Sequence, residues 1–216
     1  MKSYRLILFD LDGTLTDPTS GLVSSFAYAL DRMGVNYGTR ASLSRFIGPP
    51  LKEEWIRTFG FTEEEGERAL ALFREVFAES GWCDNRMFDG IPAMLDALRA
   101  AGKKIALATS KPEVFAEKIL DFFGISDRFD FIGAATLDGS REKKEDVLAY
   151  AVAHFPDVSK DEMILVGDRR YDAEGAASVG IDSLGVRYGC GSREELAAAP
   201  FTAYADTVEE IARLLA

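Results

Sequence analysis

Apolar and polar positions fall into blocks along this chain, and the spacing within the blocks changes character twice. Leu6 to Phe9 is a short, unbroken, β-favouring apolar run, the pattern of a strand buried on both faces. Beyond Asp17 the spacing becomes helical. Leu22, Phe26, Ala29, Leu30 and Met33 recur near a 3.6-residue period, with Thr19 or Ser20 as the expected N-cap and Gly34 as the stop. A short helix is expected over Ser42 to Phe46, followed by the rigid break Ile47-Gly48-Pro49-Pro50. Pro50 is placed to open a helix over Leu51 to Phe59, which Gly60 ends. Thr62 and Glu65 make a capping-box pattern for a helix running to about Ser80, with Ala69, Leu72, Phe73, Val76 and Phe77 as its apolar stripe. No strand signal falls between Asp17 and Gly81.

From Gly90 onward helices alternate with strands. The pattern predicts strands over 104–110, 129–133, 163–168, 182–186 and 203–205. It predicts helices over 92–101, 113–123, 144–154, 173–179, 194–199 and 208–215. Alternation of this kind implies an α/β core, a parallel sheet covered by helices on both faces. The expected division is 1–16 plus 86–216 for this core, and 17–85 for an all-helical insertion of about four helices.

Composition narrows the partners. The chain has 216 residues, is 47% hydrophobic and carries a formal charge of -11. A surface of that sign repels nucleic acid and anionic membrane, and no Lys/Arg cluster offsets it, so neither is an expected partner. Cys83 and Cys190 stand far apart in no metal-like spacing, which points to a reducing, cytoplasmic setting without disulfides. The N-terminus passes directly into the first strand, with no leader pattern, and no apolar run is long enough to span a bilayer.

The candidate chemistry lies where strands end. The first ends in Asp10 and Asp12, followed by Gly13 and Thr14; another ends in Thr109 and Ser110; a third ends in Gly167-Asp168, with Asp172 four residues on. Ligands of open parallel sheets bind beyond the carboxyl ends of the strands. Several carboxylates gathered there repel one another unless a cation sits among them, and an all-oxygen set with waters favours Mg²⁺. A turn reading of Asp12-Gly13 alone is the bland alternative. It does not explain two strands that each end in spaced carboxylates.

Asp10-Leu-Asp12-Gly13-Thr14, Thr109-Ser110, a lysine and Gly167-Asp168-Arg-Arg-Tyr-Asp172, in this order, resemble the haloacid dehalogenase superfamily. The resemblance covers essentially the whole chain. Thr16-Asp17-Pro18, Ile47-Gly48-Pro49-Pro50-Leu51, Asp138-Gly139-Ser140-Arg141 and Tyr188-Gly-Cys-Gly-Ser192 are similar to its phosphoglycolate phosphatase-like and 5′-nucleotidase-like branch. The resemblance implies a Rossmann-like three-layer core with an inserted all-helical C1-type cap. It implies a Mg²⁺-dependent phosphatase of a small soluble phosphate monoester, working as a monomer or weak homodimer. Asp10 is then the nucleophile and Asp12 the acid/base. Thr109, Ser110 and Gly13 contact the phosphoryl group, and Asp10, Asp12, Asp168 and Asp172 are the metal set. The lysine that pairs with the nucleophile is Lys143 or Lys144, with Lys144 favoured. Arg169 either neutralises the site or pairs on the surface. In the insertion, Phe46, Gly48, Pro49, Leu51 and Lys52 are the candidate specificity residues. His154 is expected to be structural. The rivals are a sugar phosphomutase, a phosphonoacetaldehyde hydrolase using Lys52 as its amine, a 2-haloacid dehalogenase and an idle binding module.

Overall fold

A computed structural model describes residues 2–216. The chain divides into two compact units, Met1–Asp17 with Met87–Ala216, and Pro18–Arg86. The first is built on a six-stranded parallel sheet. Its strands are β1 (Leu6–Phe9), β4 (Lys104–Pro112), β5 (Phe131–Ala135), β6 (Met163–Gly167), β7 (Asp182–Val186) and β8 (Ala203–Ala205), in the spatial order β5-β4-β1-β6-β7-β8. Two further strands, β2 (Thr16–Asp17) and β3 (Arg86–Met87), are only two residues long and pair with each other where the chain leaves and re-enters this unit. Runs so short carry no periodicity, so the hydrophobic pattern gave no sign of them.

All four residues of β1 are fully buried. Leu6 and Leu8 share a core with Ala106 and Ala108 of β4 and Leu165 of β6. Val147, Leu148 and Ala151 of α6 (Lys144–Ala153) and Ala176 of α7 (Arg170–Val179) complete it. Ile7 and Phe9 alternate to the opposite face and are equally buried, so the central strand has water on neither side. The remaining helices of this unit are α4 (Ile91–Ala100), α5 (Glu113–Phe122), α8 (Arg193–Ala198) and α9 (Val208–Leu215). His154 closes α6 at its C-terminal end and stacks on Phe131 with ring centroids 3.9 Å apart, a packing role.

The second unit is helical: α1 (Thr19–Arg32), a 3₁₀ segment over Arg40–Phe46, α2 (Leu51–Phe59), α3 (Glu63–Val76) and one wider π turn, Phe77–Gly81. The Thr62–Glu65 capping box forms as its spacing predicts, and Gly60 ends α2 in a left-handed conformation. The start of α1 differs from expectation. Pro18 precedes it without a side-chain cap, and the Ser20 hydroxyl donates to Asp84 instead. The core of this unit is aromatic. Trp55 is fully buried between Phe26, Phe46 and Phe73 in edge-on or tilted contacts.

Among the described residues Trp55 Nε1 is buried without a hydrogen-bond partner. Trp55→Phe removes an unsatisfied donor along with some volume, so its net cost is expected within about 1.5 kcal/mol. Phe46→Ala opens a cavity and is expected to cost about 3–5 kcal/mol. Urea unfolding of the two variants checks the contrast. Equal losses would mean that the indole N–H contributes to stability.

Candidate active site

The strand order reverses between β1 and β6: β4 and β5 lie on one side, β7 and β8 on the other. At such a point the loops after adjacent strands part and leave a crevice beyond the carboxyl ends. Asp10 follows β1 directly, and its N–H donates to the Val166 carbonyl of β6 at 2.9 Å. Asp168 follows β6. The parallel register therefore brings these two carboxylates together.

Asp10, Asp168 and Asp172 each offer a carboxylate oxygen within 4.8 Å of the others, and all three are buried. Lys144, at the first position of α6, reaches into the group from the neighbouring strand's side. Its Nζ lies 2.9 Å from Asp10 Oδ1 and 2.8 Å from Asp172 Oδ1, and donates to the Ala108 carbonyl at 3.1 Å. Of the two candidate lysines, Lys144 is thus the one paired with Asp10. Burial alone would lower the pKa of this ammonium, but Asp10 and Asp172 outweigh it and hold the pKa above the ordinary lysine value. The carboxyl of Asp168 is pushed well up by burial, and by its neighbours Asp172 and Asp10. Asp172 also rises through burial, against the pull of Lys144.

Both carboxylate oxygens of Asp172 are engaged. Its Oδ2 accepts from the Arg169 N–H at 2.9 Å, tying the first turn of α7, while Oδ1 faces Lys144. Arg169 sends its Nε to Glu195 at 2.8 Å, and Glu195 also accepts from the Arg170 N–H. The guanidinium is thereby anchored to α8.

Two glycines make room for this crowd. Gly13 has φ +83°, and a Cβ there would lie 2.1 Å from Asp168 Oδ2. At Gly167 a Cβ would lie 2.2 Å from the Asp172 carboxylate carbon. Asp168 itself accepts from two donors, and a third bond steadies one of them. Cys190 N–H donates to its Oδ2 at 2.6 Å, Thr14 Oγ1 lies 3.4 Å from Oδ1, and Tyr188 Oη donates to the Thr14 carbonyl at 2.9 Å. Burial first, then Asp168, pushes both the Cys190 thiol and the Tyr188 phenol up, so neither ionises readily. The chemistry of Cys190 here belongs to its backbone. Cys83 and Cys190 are both free.

Asp12 stands apart from the three clustered acids. Its Oδ2 is 2.5 Å from Nζ of Lys111, whose side chain is only 4% exposed. Burial raises the Asp12 carboxyl, opposed by Lys111. The Asp12 side chain is thus engaged by Lys111 and is not one of the three clustered carboxylates. Thr109 is buried, and its Oγ1 accepts from the Lys111 N–H at 3.3 Å. Ser110 is half-buried beside it. Lys111 was not among the residues singled out from the sequence. In Ser-Lys-Pro it reads as a loop lysine, yet β4 continues to Pro112. The pairing of β4 with β5 shifts register between Thr109 and Pro112, an irregularity of the kind that re-aims a side chain.

The candidate residues of the helical unit fare differently. Phe46 is 3% exposed and packs against Phe26, Trp55 and Phe59, so it is a core residue and is withdrawn as a specificity residue. Lys52 is held by Glu67 at 2.9 Å and Glu63 at 3.5 Å. Its hydrogen bond to Glu67 is the main reason its pKa is raised, the opposite of what a Schiff-base amine needs. Gly48 is exposed, Pro49 and Leu51 half-exposed. Among the described residues no helix is long and apolar enough to cross a membrane.

Known proteins are similar to this chain in sequence and fold. The haloacid dehalogenase-like hydrolase family model matches residues 7–186. A Pseudomonas aeruginosa protein named 5′-nucleotidase is 40% identical over 212 residues, covering 98% of this chain and 96% of that protein. A Mycobacterium tuberculosis protein named tyrosine-protein kinase PtkA is 39% identical over 216 residues, covering 99% of this chain and 73% of that one. A solved structure titled "predicted phosphatase", from Clostridium acetobutylicum, superposes with a TM-score of 0.91 at 38% identity over 98% of both chains. Matched by that model over residues 7–186 and 40% identical to a relative along nearly its whole length, the chain belongs to the haloacid dehalogenase-like hydrolases.

Proposed function

We infer that this hydrolase is a Mg²⁺-dependent phosphatase of a small soluble phosphate monoester, of phosphoglycolate or nucleoside monophosphate type. The observation that carries the reading is Asp10, buried beside Lys144 and two further acids, with Asp12 two residues on and held separately. Asp10 attacks phosphorus, the ester P–O bond breaks, and Asp12 gives its proton to the departing oxygen. The Asp12 carboxylate then takes a proton from the water that attacks the aspartyl-phosphate. Inorganic phosphate leaves and Asp10 is restored. Lys144 balances charge at the nucleophile, and Thr109 offers its hydroxyl to a phosphoryl oxygen.

The donor set fits a divalent cation. Three carboxylates against one ammonium leave two negative charges in excess when all are ionised, and among the described residues neither Asp10 Oδ1 nor Asp172 Oδ1 accepts an aligned hydrogen bond. Asp10, Asp168 and Asp172 would hold Mg²⁺, which when bound supplies positive charge for the phosphoryl oxygens. We assign substrate selection to the helical unit, with Gly48 and Pro49 still available for it.

The mycobacterial relative's name supports a second reading, phosphoryl transfer to a tyrosine hydroxyl in place of water. A panel of phosphomonoesters assayed for phosphate release with Mg²⁺ separates the two when a parallel arm supplies ATP and a tyrosine peptide. Phosphate release that EDTA and Asp10→Asn both abolish is the expected result. Labelled peptide with no ester hydrolysis would reverse the assignment. A sugar phosphomutase would return an isomeric phosphate instead.

Two measurements address the metal without turnover. Mg²⁺ at 100 times its Kd is expected to stabilise the wild type by about 2.7 kcal/mol, and to leave Asp168→Asn unmoved in a thermal melt. Lys144→Met, which strands buried carboxylates without their cation, is expected to cost about 3–5 kcal/mol by urea unfolding.

A further inference from the structure

We propose that Lys111 is a positioning residue for the acid/base Asp12. By fixing one carboxylate oxygen it leaves the other presented to the leaving group. The inference rests on the phosphatase reading above and adds a residue to it.

The Lys111 side chain is nearly inaccessible, and its Nζ is 2.5 Å from Asp12 Oδ2. The other oxygen, Asp12 Oδ1, is buried and accepts no hydrogen bond among the described residues. A buried acceptor left unmatched is costly, and such groups persist where a partner arrives with the ligand. The backbone beneath is already fixed. Asp12 bridges to Thr16, and the Gly13 N–H donates to the Thr16 carbonyl at 2.7 Å. Only the side-chain torsions of Asp12 remain to be set, and Lys111 sets them. Lys111 is itself aimed by the Thr109–Pro112 irregularity of β4, where its N–H donates to Thr109 Oγ1. One short stretch thus carries a phosphoryl-contacting hydroxyl and, two residues later, the ammonium that orients the proton donor. Displacing a proton donor by about 1 Å can cost about 10²-fold in rate, so fixing it has catalytic value.

The test uses leaving-group dependence. Departure of an alkoxide needs a proton, whereas departure of p-nitrophenolate needs little help. The ratio kcat/KM reports events up to that departure and is blind to the later hydrolysis of the aspartyl-phosphate. For Lys111→Met, kcat/KM is expected to fall about 10²-fold with an alkyl phosphate and less than about 10-fold with p-nitrophenyl phosphate. Lys111→Arg should recover most of the alkyl-ester activity. Adding Asp12→Asn to Lys111→Met should cost little more with the alkyl ester, because the two residues act as one unit. Equal losses with both esters, no loss with either, or additive losses in the double variant would each overturn the proposal, leaving Lys111 a phosphate-binding or purely structural lysine. Wild-type protein that hydrolyses neither ester would instead sink the phosphatase reading itself. Lys111→Gln gives the same comparison if the Met variant does not fold.

Discussion

The structure depends on keeping several like charges out of water at the end of its most buried strand. Asp10, Asp168 and Asp172 are each almost wholly inaccessible. Their mutual repulsion is opposed by one ammonium, by backbone N–H donors and by the N-terminus of α7, whose dipole favours negative charge. The sheet supplies the rigidity this requires. The parallel pairing of β1 with β4 and β6 holds Asp10 next to Ala108 and Gly167. Such an arrangement is unfavourable for stability alone, and it places the acids where a cation and a phosphoryl group can relieve the excess charge.

Much of this was legible in the amino-acid sequence because it follows from local physics. The apolar run before Asp10 could only be a buried strand. Thr62 with Glu65 could satisfy a helix start, and the spaced acids after two strands needed an explanation that turns do not offer. What escaped has equally physical reasons. Lys111 lies past the last apolar residue of β4, where polar character usually marks a loop, and its direction is set by a register irregularity that no side-chain pattern encodes. The backbone N–H of Cys190 is invisible to an analysis of side-chain chemistry. Phe46 illustrates the opposite error: an aromatic beside a Gly-Pro-Pro break looked available, but a helical unit of this size needs its large rings inside.

That aromatic core commits the large rings of the helical unit to one another. Phe46 and Lys52 are both committed to contacts within the helical unit, one by packing and one by ion pairs.

The strand order has a consequence for biosynthesis. Leu6 pairs with Met163 and Lys104, both far downstream. During synthesis β1 therefore exists as an apolar segment without neighbours until about half of the chain has been made, and gains its second neighbour later still. Long-range parallel pairing is slow to form, and unpaired strands of this kind invite association with other chains. The two carboxylates that immediately follow β1 act as charged gatekeepers over that interval. By that reasoning Asp10 and Asp12 also help a nascent strand stay unaggregated until its partners are made.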